Sequence, residues 1–313
     1  MRQAISPVIR VSHLRKIYGK TIAVDDLSLE VNEGEIFGMV GPNGAGKTTT
    51  IECLEGLRTF DSGEVSVLGL DPVRQERSLR LVVGTQLQKA QLPDRLKVGE
   101  ALDLFASFYP HPAEWRGLLE RLGLIEKESA YISQLSGGQQ QRLFIALALI
   151  NHPRLVFFDE LTTGLDPQAR QTIWELLREI RSEGRAVFLT THLMEEAEKL
   201  CDRVAVVDHG RVVALDTPEA LVSSLGAESR VILTIQNSYD PQTLKALDCV
   251  TRVEQDGQQI IVYGRATQPG QPPLITEVVN LFAAQGVKFN EIRMEVPTLE
   301  DVFLHLTGRA MRD

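Results

Sequence analysis

The chain has 313 residues, 43% of them hydrophobic, and its 33 Lys and Arg against 42 Asp and Glu give a formal charge of -9 at pH 7. This size and composition exclude a mainly disordered chain and are typical of a globular protein with one large domain and one small one. The acidic balance argues against a nucleic-acid partner, because proteins that bind nucleic acid usually carry a basic surplus.

No stretch of the sequence is apolar over the length that a membrane span needs. The longest apolar run, Leu143 to Ile150, is far shorter than the roughly 20 residues of a transmembrane helix. The first residues lack the apolar core of a signal peptide, so we expect the chain to stay in the cytoplasm. Cys53, Cys201 and Cys249 are widely spaced, which favours neither a disulfide framework nor a zinc site.

The first predicted elements are two strands, over Val8 to Lys16 and Ala23 to Val31, with Tyr18 between them. An aromatic ring just before a phosphate site can stack on a purine base. Tyrosine in a strand more often packs against its neighbours. From the residues alone, packing is the stronger interpretation of Tyr18.

A glycine-rich segment follows the apolar run Ile36 to Val40, which predicts a buried parallel strand. The segment fits the template G-x-x-x-x-G-K-[ST] and consists of Gly41, Pro42, Asn43, Gly44, Ala45, Gly46, Lys47 and Thr48, followed by Thr49. Helical spacing from Thr49 to Leu57 completes the strand, loop and helix that a phosphate loop requires. We expect Lys47 to face the β and γ phosphates and Thr48 to bind Mg²⁺ through its hydroxyl.

A helical insert is predicted between Glu100 and Leu124, and a second glycine-rich segment follows it. This segment consists of Leu135, Ser136, Gly137, Gly138 and Gln139 and leads into a helix over Gln140 to Asn151. A hydroxyl and bare N–H groups at a helix start suit a phosphate oxygen. The alternative is a plain N-cap, which is the role of most serines in such positions.

Two later strand ends carry polar side chains. Leu155 to Phe158 predicts a buried strand ending in Asp159 and Glu160, and Val187 to Thr190 predicts another, followed by His192. The carboxyl ends of parallel strands form the edge where such sheets bind ligands. One acid can orient Mg²⁺ and the other can accept a proton from water, although an Asp-Glu pair is elsewhere usually a solvated turn.

The composition shifts after Gly226, where a second unit of strands and helices without a catalytic constellation is predicted. Its strands are expected over Val231 to Ile235, Val250 to Val253, Ile260 to Val262 and Glu291 to Val296, and its helices over Leu274 to Ala284 and Leu299 to Leu306. We therefore expect a nucleotide-binding domain at residues 1–225, with a helical insert at about 89–150, and a small accessory domain at 226–313.

In this order, Gly41 to Thr48, Leu135 to Gln139 and Phe157 to Glu160, with His192 behind them, make residues 8–224 resemble the ATP-binding-cassette ATPases. The resemblance implies an α/β phosphate-loop NTPase fold with a mixed sheet core, an antiparallel β subdomain and a helical subdomain, followed by a small α+β domain. It implies ATP and Mg²⁺ as ligands.

The resemblance also implies roles for individual residues. Tyr18 would stack on adenine, Asp159 would support Mg²⁺, Glu160 would activate water, and His192 would hold the γ-phosphate and the water. Gln88 is favoured over Gln86 as the glutamine that links Mg²⁺ and water to the insert, by its offset from Leu96, Lys97 and Val98.

The remaining implied roles concern a partner cassette. Ser136, Gly137, Gly138 and Gln139 would contact the partner's nucleotide, and Asp166 would belong to the loop that crosses to the partner. One position departs from the family, which usually has Pro after the Asp-Glu pair, where this chain has Leu161. We expect the departure to affect the positioning of Glu160 and not the class, because proline would fix the turn.

The closing segment, Leu299 to Arg309, is similar to the C-terminal domain found in the drug, antibiotic and polysaccharide exporter branch of this family. The resemblance implies an exporter subunit in a bacterium or archaeon, peripheral on the cytoplasmic face of the plasma membrane. A separate transmembrane permease would dock between Gln88 and Leu124. The chain has one phosphate loop and one copy of the segment Leu135 to Gln139, which we name the signature segment. A site built from both in trans implies a C2 dimer with a second copy.

Two other functions remain open at this point. A soluble cassette ATPase acting on ribosomes or DNA is the first, although such chains usually carry two cassettes or a long coiled coil. A nucleotide sensor without turnover is the second, and the presence of Glu160 and His192 argues against it.

Overall fold

The computed structural model describes residues 7–86, 92–225, 228–236, 239–264 and 272–308. They form two compact units that divide between Pro218 and Glu219. Each unit has its own buried apolar cluster. Since every phosphate-directed motif of the sequence precedes the division, the first unit is the one that carries the candidate site.

The strands of the first unit are β1 (Pro7–Tyr18), β2 (Thr21–Asn32), β3 (Ile36–Val40), β4 (Ser62–Val67), β5 (Val83–Gln86), β6 (Leu155–Asp159), β7 (Ala186–Thr191), β8 (Arg203–Asp208) and β9 (Arg211–Asp216). Its helices are α1 (Lys47–Leu54), α2 (Glu76–Arg80), α3 (Val98–Ala106), α4 (Trp115–Arg121), α5 (Gly137–Leu149), α6 (Pro167–Ser182) and α7 (Met194–Leu200). Short 3-10 turns lie at Ile125–Lys127 and Ile132–Gln134.

Six of these strands form the central sheet, in the order β5-β6-β7-β3-β8-β9. The neighbouring pairs are parallel except for β8 and β9, which are antiparallel. Every residue of β3, β6 and β7 is buried, as expected for strands covered on both faces. The carboxyl ends of these three strands therefore bring the phosphate loop, the Asp-Glu pair and His192 to one edge of the sheet.

A second sheet, in the antiparallel order β2-β1-β4, packs into the same core. Its hairpin reaches the phosphate loop, because a Cβ at Gly46 would lie 2.4 Å from the carbonyl oxygen of Ala23 in β2. Tyr18, at the turn of the hairpin, pairs with Thr21. The close contact places the end of the hairpin beside the loop.

The bounds of helices α1 and α5 differ from those predicted by two residues or more. α1 runs from Lys47 to Leu54 and not from Thr49 to Leu57. It ends because Gly56 adopts φ 75, where a Cβ would lie 2.5 Å from Pro72 O. α5 begins at Gly137 and not at Gln140, because Ser136 caps it. The short helix α2 was not predicted from the sequence.

The second unit combines an antiparallel sheet with one helix packed in its core and a further helix after its last strand. Its elements are β10 (Ser229–Ile235), β11 (Val250–Asp256), β12 (Gln259–Gly264), β13 (Phe289–Glu295), α9 (Leu274–Gln285) and α10 (Leu299–Thr307), with a 3-10 helix at Pro241–Ala246 and α8 (Pro218–Ser224) at the division. The strand order is β11-β12-β10-β13. Leu274, Val278 and Phe282 of α9 are fully buried or nearly so. In the described parts of the chain, no helix has the length and apolarity to cross a membrane.

Candidate nucleotide-binding site

The phosphate loop is a tight turn between β3 and α1 that only glycine accommodates at two positions. Gly46 is the N-cap of α1 and has φ 102, in the left-handed region. A Cβ at Gly41 would lie 2.2 Å from the carbonyl oxygen of Val207 in β8. Because Gly46 has no side chain to accept hydrogen bonds from the first turn, the N–H groups there can serve a ligand oxygen.

Lys47 is buried, with 4% of its surface exposed. Its Nζ donates to the carbonyl oxygens of Gly41 at 2.7 Å and Pro42 at 3.2 Å, and lies 3.7 Å from Glu160 Oε1. Burial lowers the pKa of the Lys47 ammonium, while the charges of Glu160 and Asp159 raise it. The ammonium is thus held inside the loop, where a phosphate would find a cation with little competing water.

Asp159 is the buried end of β6 and meets two hydroxyl groups. Oδ1 accepts a hydrogen bond from Thr190 Oγ1 and lies 3.5 Å from Thr48 Oγ1. Burial raises the pKa of the Asp159 carboxyl; the Thr190 and Thr48 hydroxyls lower it, and the charge of Glu160 raises it. Oxygen atoms from one carboxylate and one hydroxyl suit Mg²⁺, which takes only one or two protein ligands beside phosphates.

Glu160 follows with φ 51, a conformation that is strained for a residue other than glycine. Its backbone N–H donates to Thr190 O at 3.1 Å. Its Oε1 lies 3.5 Å from His192 Nδ1, and its side chain is 10% exposed. His192 Nδ1 is buried and makes no hydrogen bond to any residue that the structure describes. A carboxylate and an imidazole thus converge beside the lysine.

Tyr18 lines the mouth of this site and is 39% exposed. Lys16 Nζ and Arg58 Cζ lie 5.4 and 5.3 Å from the centroid of its ring. The cavity beside it has a volume of about 390 Å³. It is lined by Tyr18, Thr21, Ile22, Ala23, Asn43, Gly44, Gly46, Lys47, Thr48, Thr49 and Glu160. The ring, the loop and the carboxylate therefore border one space, which we name the loop cavity.

The signature segment borders a different space, which we name the signature cavity. Its volume is about 380 Å³, and it is lined by Ser136, Gly137, Gly138, Arg142, Gly164, Leu165, Asp166, Gln168, Ala169, Thr172 and Ile173. Ser136 caps α5 through a reciprocal pair of hydrogen bonds with Gln139, at 2.9 and 3.3 Å. Asp166 caps α6 by accepting from Ala169 N at 2.9 Å. The two cavities share no lining residue.

The structure places Tyr18, the phosphate loop and Glu160 at the loop cavity, with His192 beside Glu160, and it places Ser136, Gly137, Gly138 and Asp166 at the separate signature cavity. Gln88 lies outside the described residues, and Gln86, the alternative to it, is a buried residue at the end of β5. Leu161 is 3% exposed, so its side chain packs inward where the family usually has proline. Thr190 was missed by the sequence reasoning; it faces Asp159 because the two pair in register across β6 and β7.

No group of three or more His, Cys, Asp or Glu side chains that could hold a metal exists in the described ranges. A phosphate loop, a buried Asp-Glu strand end and a glycine-rich helix start on one mixed sheet define a phosphate-loop nucleotide hydrolase. Comparisons with known proteins identify the family within this class.

A family model described as ABC transporter matches residues 24–163. A Nod factor export ATP-binding protein I from Ralstonia nicotianae is 39% identical over 98% of this chain and 96% of its own length. A daunorubicin resistance ATP-binding protein from Streptomyces coeruleorubidus is 35% identical over 96% of this chain and 95% of its own length.

Solved structures agree with the sequence matches. An ATP binding subunit of an ABC transporter has a TM-score of 0.64 at 28% identity, covering 70% of this chain and 93% of that one. A dimeric bacterial ABC transporter cassette has a TM-score of 0.60 at 28% identity, covering 67% and 98%. The chain belongs to the ABC transporter family as an ATP-binding subunit, and it is an ATPase. The predicted fold class and the resemblance are confirmed.

Proposed function

We propose that this ATPase drives export through a separate transmembrane permease, and that two copies close around ATP to do so. The observation that carries the proposal is the separation of the two cavities. The loop cavity is lined by Lys47 and Glu160, whereas the signature cavity is lined by Ser136, Gly137 and Gly138 and by neither of those two residues. One chain therefore supplies two unlike halves of a site, which a C2 dimer would join twice.

In the loop cavity, Tyr18 would stack on the adenine and the loop N–H groups would bind the phosphates. Lys47 would exchange its carbonyl partners, Gly41 and Pro42, for β and γ phosphate oxygens. Thr48 and Asp159 are suited to hold Mg²⁺, and Gln88 is proposed as its further ligand. The metal ion would neutralise charge that develops on the phosphates.

Glu160 is the proposed general base. It would accept a proton from water as the water oxygen attacks the γ-phosphorus, and the bond from phosphorus to the leaving oxygen of ADP would break. His192 would hold the water and the γ-phosphate, a role supported by its buried Nδ1 beside Glu160 Oε1. In the closed dimer, Ser136, Gly137, Gly138 and Gln139 would contact the partner's nucleotide, with Asp166 on the loop that crosses between copies.

Export and the permease are proposed from the relatives. One relative's name speaks of export and the other's of drug resistance. The predicted docking region between Gln88 and Leu124 exposes large apolar side chains, with Leu104 46% and Phe108 62% exposed. Exposed apolar side chains in one region suit a protein partner. The protein would then lie on the cytoplasmic face of the plasma membrane, with residues 226–313 as an accessory domain.

The direct experiment is co-expression with a permease encoded beside the gene. We expect the chain to enter the membrane fraction only with the permease, and Leu104→Glu with Phe108→Glu to abolish this while leaving phosphate release by the purified chain intact. Recovery on ribosomes or DNA, with no permease dependence, would instead favour a soluble cassette ATPase. Neither relative's name refers to such a partner.

A further inference from the structure

A buried carboxylate outside the proposed chemistry connects three elements behind the site. Glu196 lies on α7 and is 2% exposed. Its Oε1 accepts hydrogen bonds from Thr162 Oγ1 at 2.7 Å and from Trp174 Nε1 of α6 at 3.0 Å. Both donors are buried as well. An acid is costly to bury unless its oxygens are satisfied, so the arrangement commits Glu196 to these two partners.

Thr162 belongs to the turn that carries Glu160. The backbone N–H of Thr163 donates to Glu160 O at 3.2 Å, and that of Leu165 donates to Thr162 O at 3.2 Å. Glu160 itself has φ 51. A non-glycine residue keeps such a conformation only where its surroundings hold it. A proline after Glu160 would stiffen this turn, but residue 161 is leucine, so the hold must come from another contact.

The other end of the connection is the segment of His192. Glu196 is in the first turns of the helix that follows His192, and its backbone N–H donates to Leu193 O at 3.1 Å. Leu193 N in turn donates to Thr191 Oγ1 at 2.9 Å. The Thr162–Glu196 hydrogen bond therefore fastens the turn that bears Glu160 to the segment that bears His192.

We infer that Glu196 is a positioning residue, which sets the place of Glu160 relative to His192 through Thr162. The inference rests on the proposed role of Glu160 as the base. Glu196 does not reach the loop cavity, whose lining does not include it. It acts by holding a strained carboxylate where the attacking water would be.

The chain offers a matched pair of variants for the test. Thr162→Val and Trp174→Phe each remove one donor to the same oxygen of Glu196. Thr162→Val keeps the size of the side chain, whereas Trp174→Phe also leaves a cavity, so Trp174→Phe should lower the melting temperature at least as much. Only Thr162→Val detaches the turn of Glu160, so its kcat should fall by about tenfold or more with KM for ATP unchanged, because small misplacements of a reacting group are costly.

Three further results follow for the full-length chain. Trp174→Phe should keep kcat within about twofold of wild type, since it leaves the turn attached. Thr162→Ser and Glu196→Gln keep a donor and an acceptor, so both should restore most of the rate that Thr162→Val and Glu196→Leu lose. In a Glu160→Gln background, Thr162→Val should cause no further loss, because groups that act as a unit are not additive.

The inference is overturned if Thr162→Val and Trp174→Phe lower kcat equally, or if Thr162→Val causes a further tenfold loss in the Glu160→Gln background. A failure of the proposed base would look different. In that case Glu160→Gln alone would turn over ATP at a near-normal rate.

Discussion

The two glycine-rich helix starts of the molecule, at α1 and α5, look alike in sequence and differ in chemistry. α1 begins at an uncapped glycine, Gly46, beside the buried Lys47, the buried Asp159 and the partly buried Glu160. α5 begins at Ser136, whose hydroxyl and backbone N–H are both engaged with Gln139. The first helix start offers open N–H groups beside a buried cation, whereas the second is capped by its own serine.

This difference indicates that the two helix starts have different roles in nucleotide binding. Lys47, Thr48 and the proposed proton acceptor Glu160 line the loop cavity, and Asp159 lies 3.5 Å from Thr48, so the groups proposed for the chemistry of hydrolysis lie at this cavity. The signature cavity has hydroxyl and N–H donors at the start of α5. They could bind a phosphate oxygen only if a nucleotide held elsewhere is brought to this cavity. A site with ATP bound at the phosphate loop would thus remain incomplete until a second copy adds its signature segment.

The largest expected effect comes from Glu160→Gln, which keeps the size of the side chain but removes the proton acceptor. Turnover should fall by about 10²- to 10⁴-fold, the usual contribution of a general base. ATP binding should persist, and the variant should accumulate as a dimer on size-exclusion chromatography with Mg²⁺ and ATP but not with ADP. The control is Glu195→Gln on α7, whose carboxylate pairs with Lys199 at the surface. Near-normal turnover in Glu160→Gln would move the base elsewhere, with His192 next.

The second prediction separates the two helix starts. Lys47→Ala should weaken ATP binding by about tenfold to a hundredfold, the size of a lost charge-assisted hydrogen bond. Ser136→Arg should bind ATP normally but remain monomeric, because the larger side chain blocks the signature cavity. Equilibrium binding and light scattering measure the two effects. Equal losses of ATP affinity in both variants would contradict the assignment of different roles to the two helix starts.

A smaller effect concerns stability and pH at Asp159. Burial raises its pKa in the folded state, so the folded protein binds the proton more tightly than the unfolded chain does. Stability is therefore lost as pH rises from the ordinary Asp range through the raised pKa, and the carboxylate destabilises the nucleotide-free protein at neutral pH. Asp159→Asn should raise the melting temperature there by about 2–4 °C, the shift for 1 kcal/mol at this size.

The advantage of Asp159→Asn should shrink as pH falls through the raised pKa and below about 3.9, the ordinary Asp value, because the wild-type carboxyl is then increasingly protonated in both states. Mg²⁺-dependent turnover should be lost in the same variant. Thermal unfolding across pH, without nucleotide, checks the sign. An advantage that grows on acidification would show that the assigned direction is wrong.

The smallest expected effect comes from removing the second unit. A chain ending after Ser224 retains the first unit's apolar cluster and both cavities. Its ATP affinity should change by less than about twofold, since a unit with its own core can fold alone. A soluble, folded truncation that fails to bind ATP would assign the second unit a direct part in the site.

The sequence was sufficient to predict the parts of the fold that rest on local patterns. The apolar runs of β3, β6 and β7 predicted buried parallel strands, and their ends placed Asp159 and His192 at one edge. These patterns are local because a buried strand is apolar throughout and its end is marked by the first polar residues.

What the sequence could not predict depends on contacts between distant segments. Thr190 meets Asp159 only through the register of β6 and β7. The end of α1 is set at Gly56 by Pro72. The hydrogen bonds of the buried Glu196 with Thr162 and Trp174 connect three elements, and no periodic pattern in the sequence indicates them. The separation of the two cavities likewise needs the packing of α5 and α6, which spacing along the chain does not give.

The most direct test of the composite site mixes two inactive variants, Lys47→Ala and Ser136→Ala, the second of which removes the hydroxyl of the signature segment without blocking dimer closure. A mixed dimer has one site with both defects and one site built from the intact loop of one chain and the intact signature segment of the other. The account predicts that mixing restores ATP hydrolysis, to at most about a quarter of the wild-type rate, because half of the dimers are mixed and each has one intact site. If each site were complete within one chain, both chains of every mixed dimer would be defective, and no activity would return.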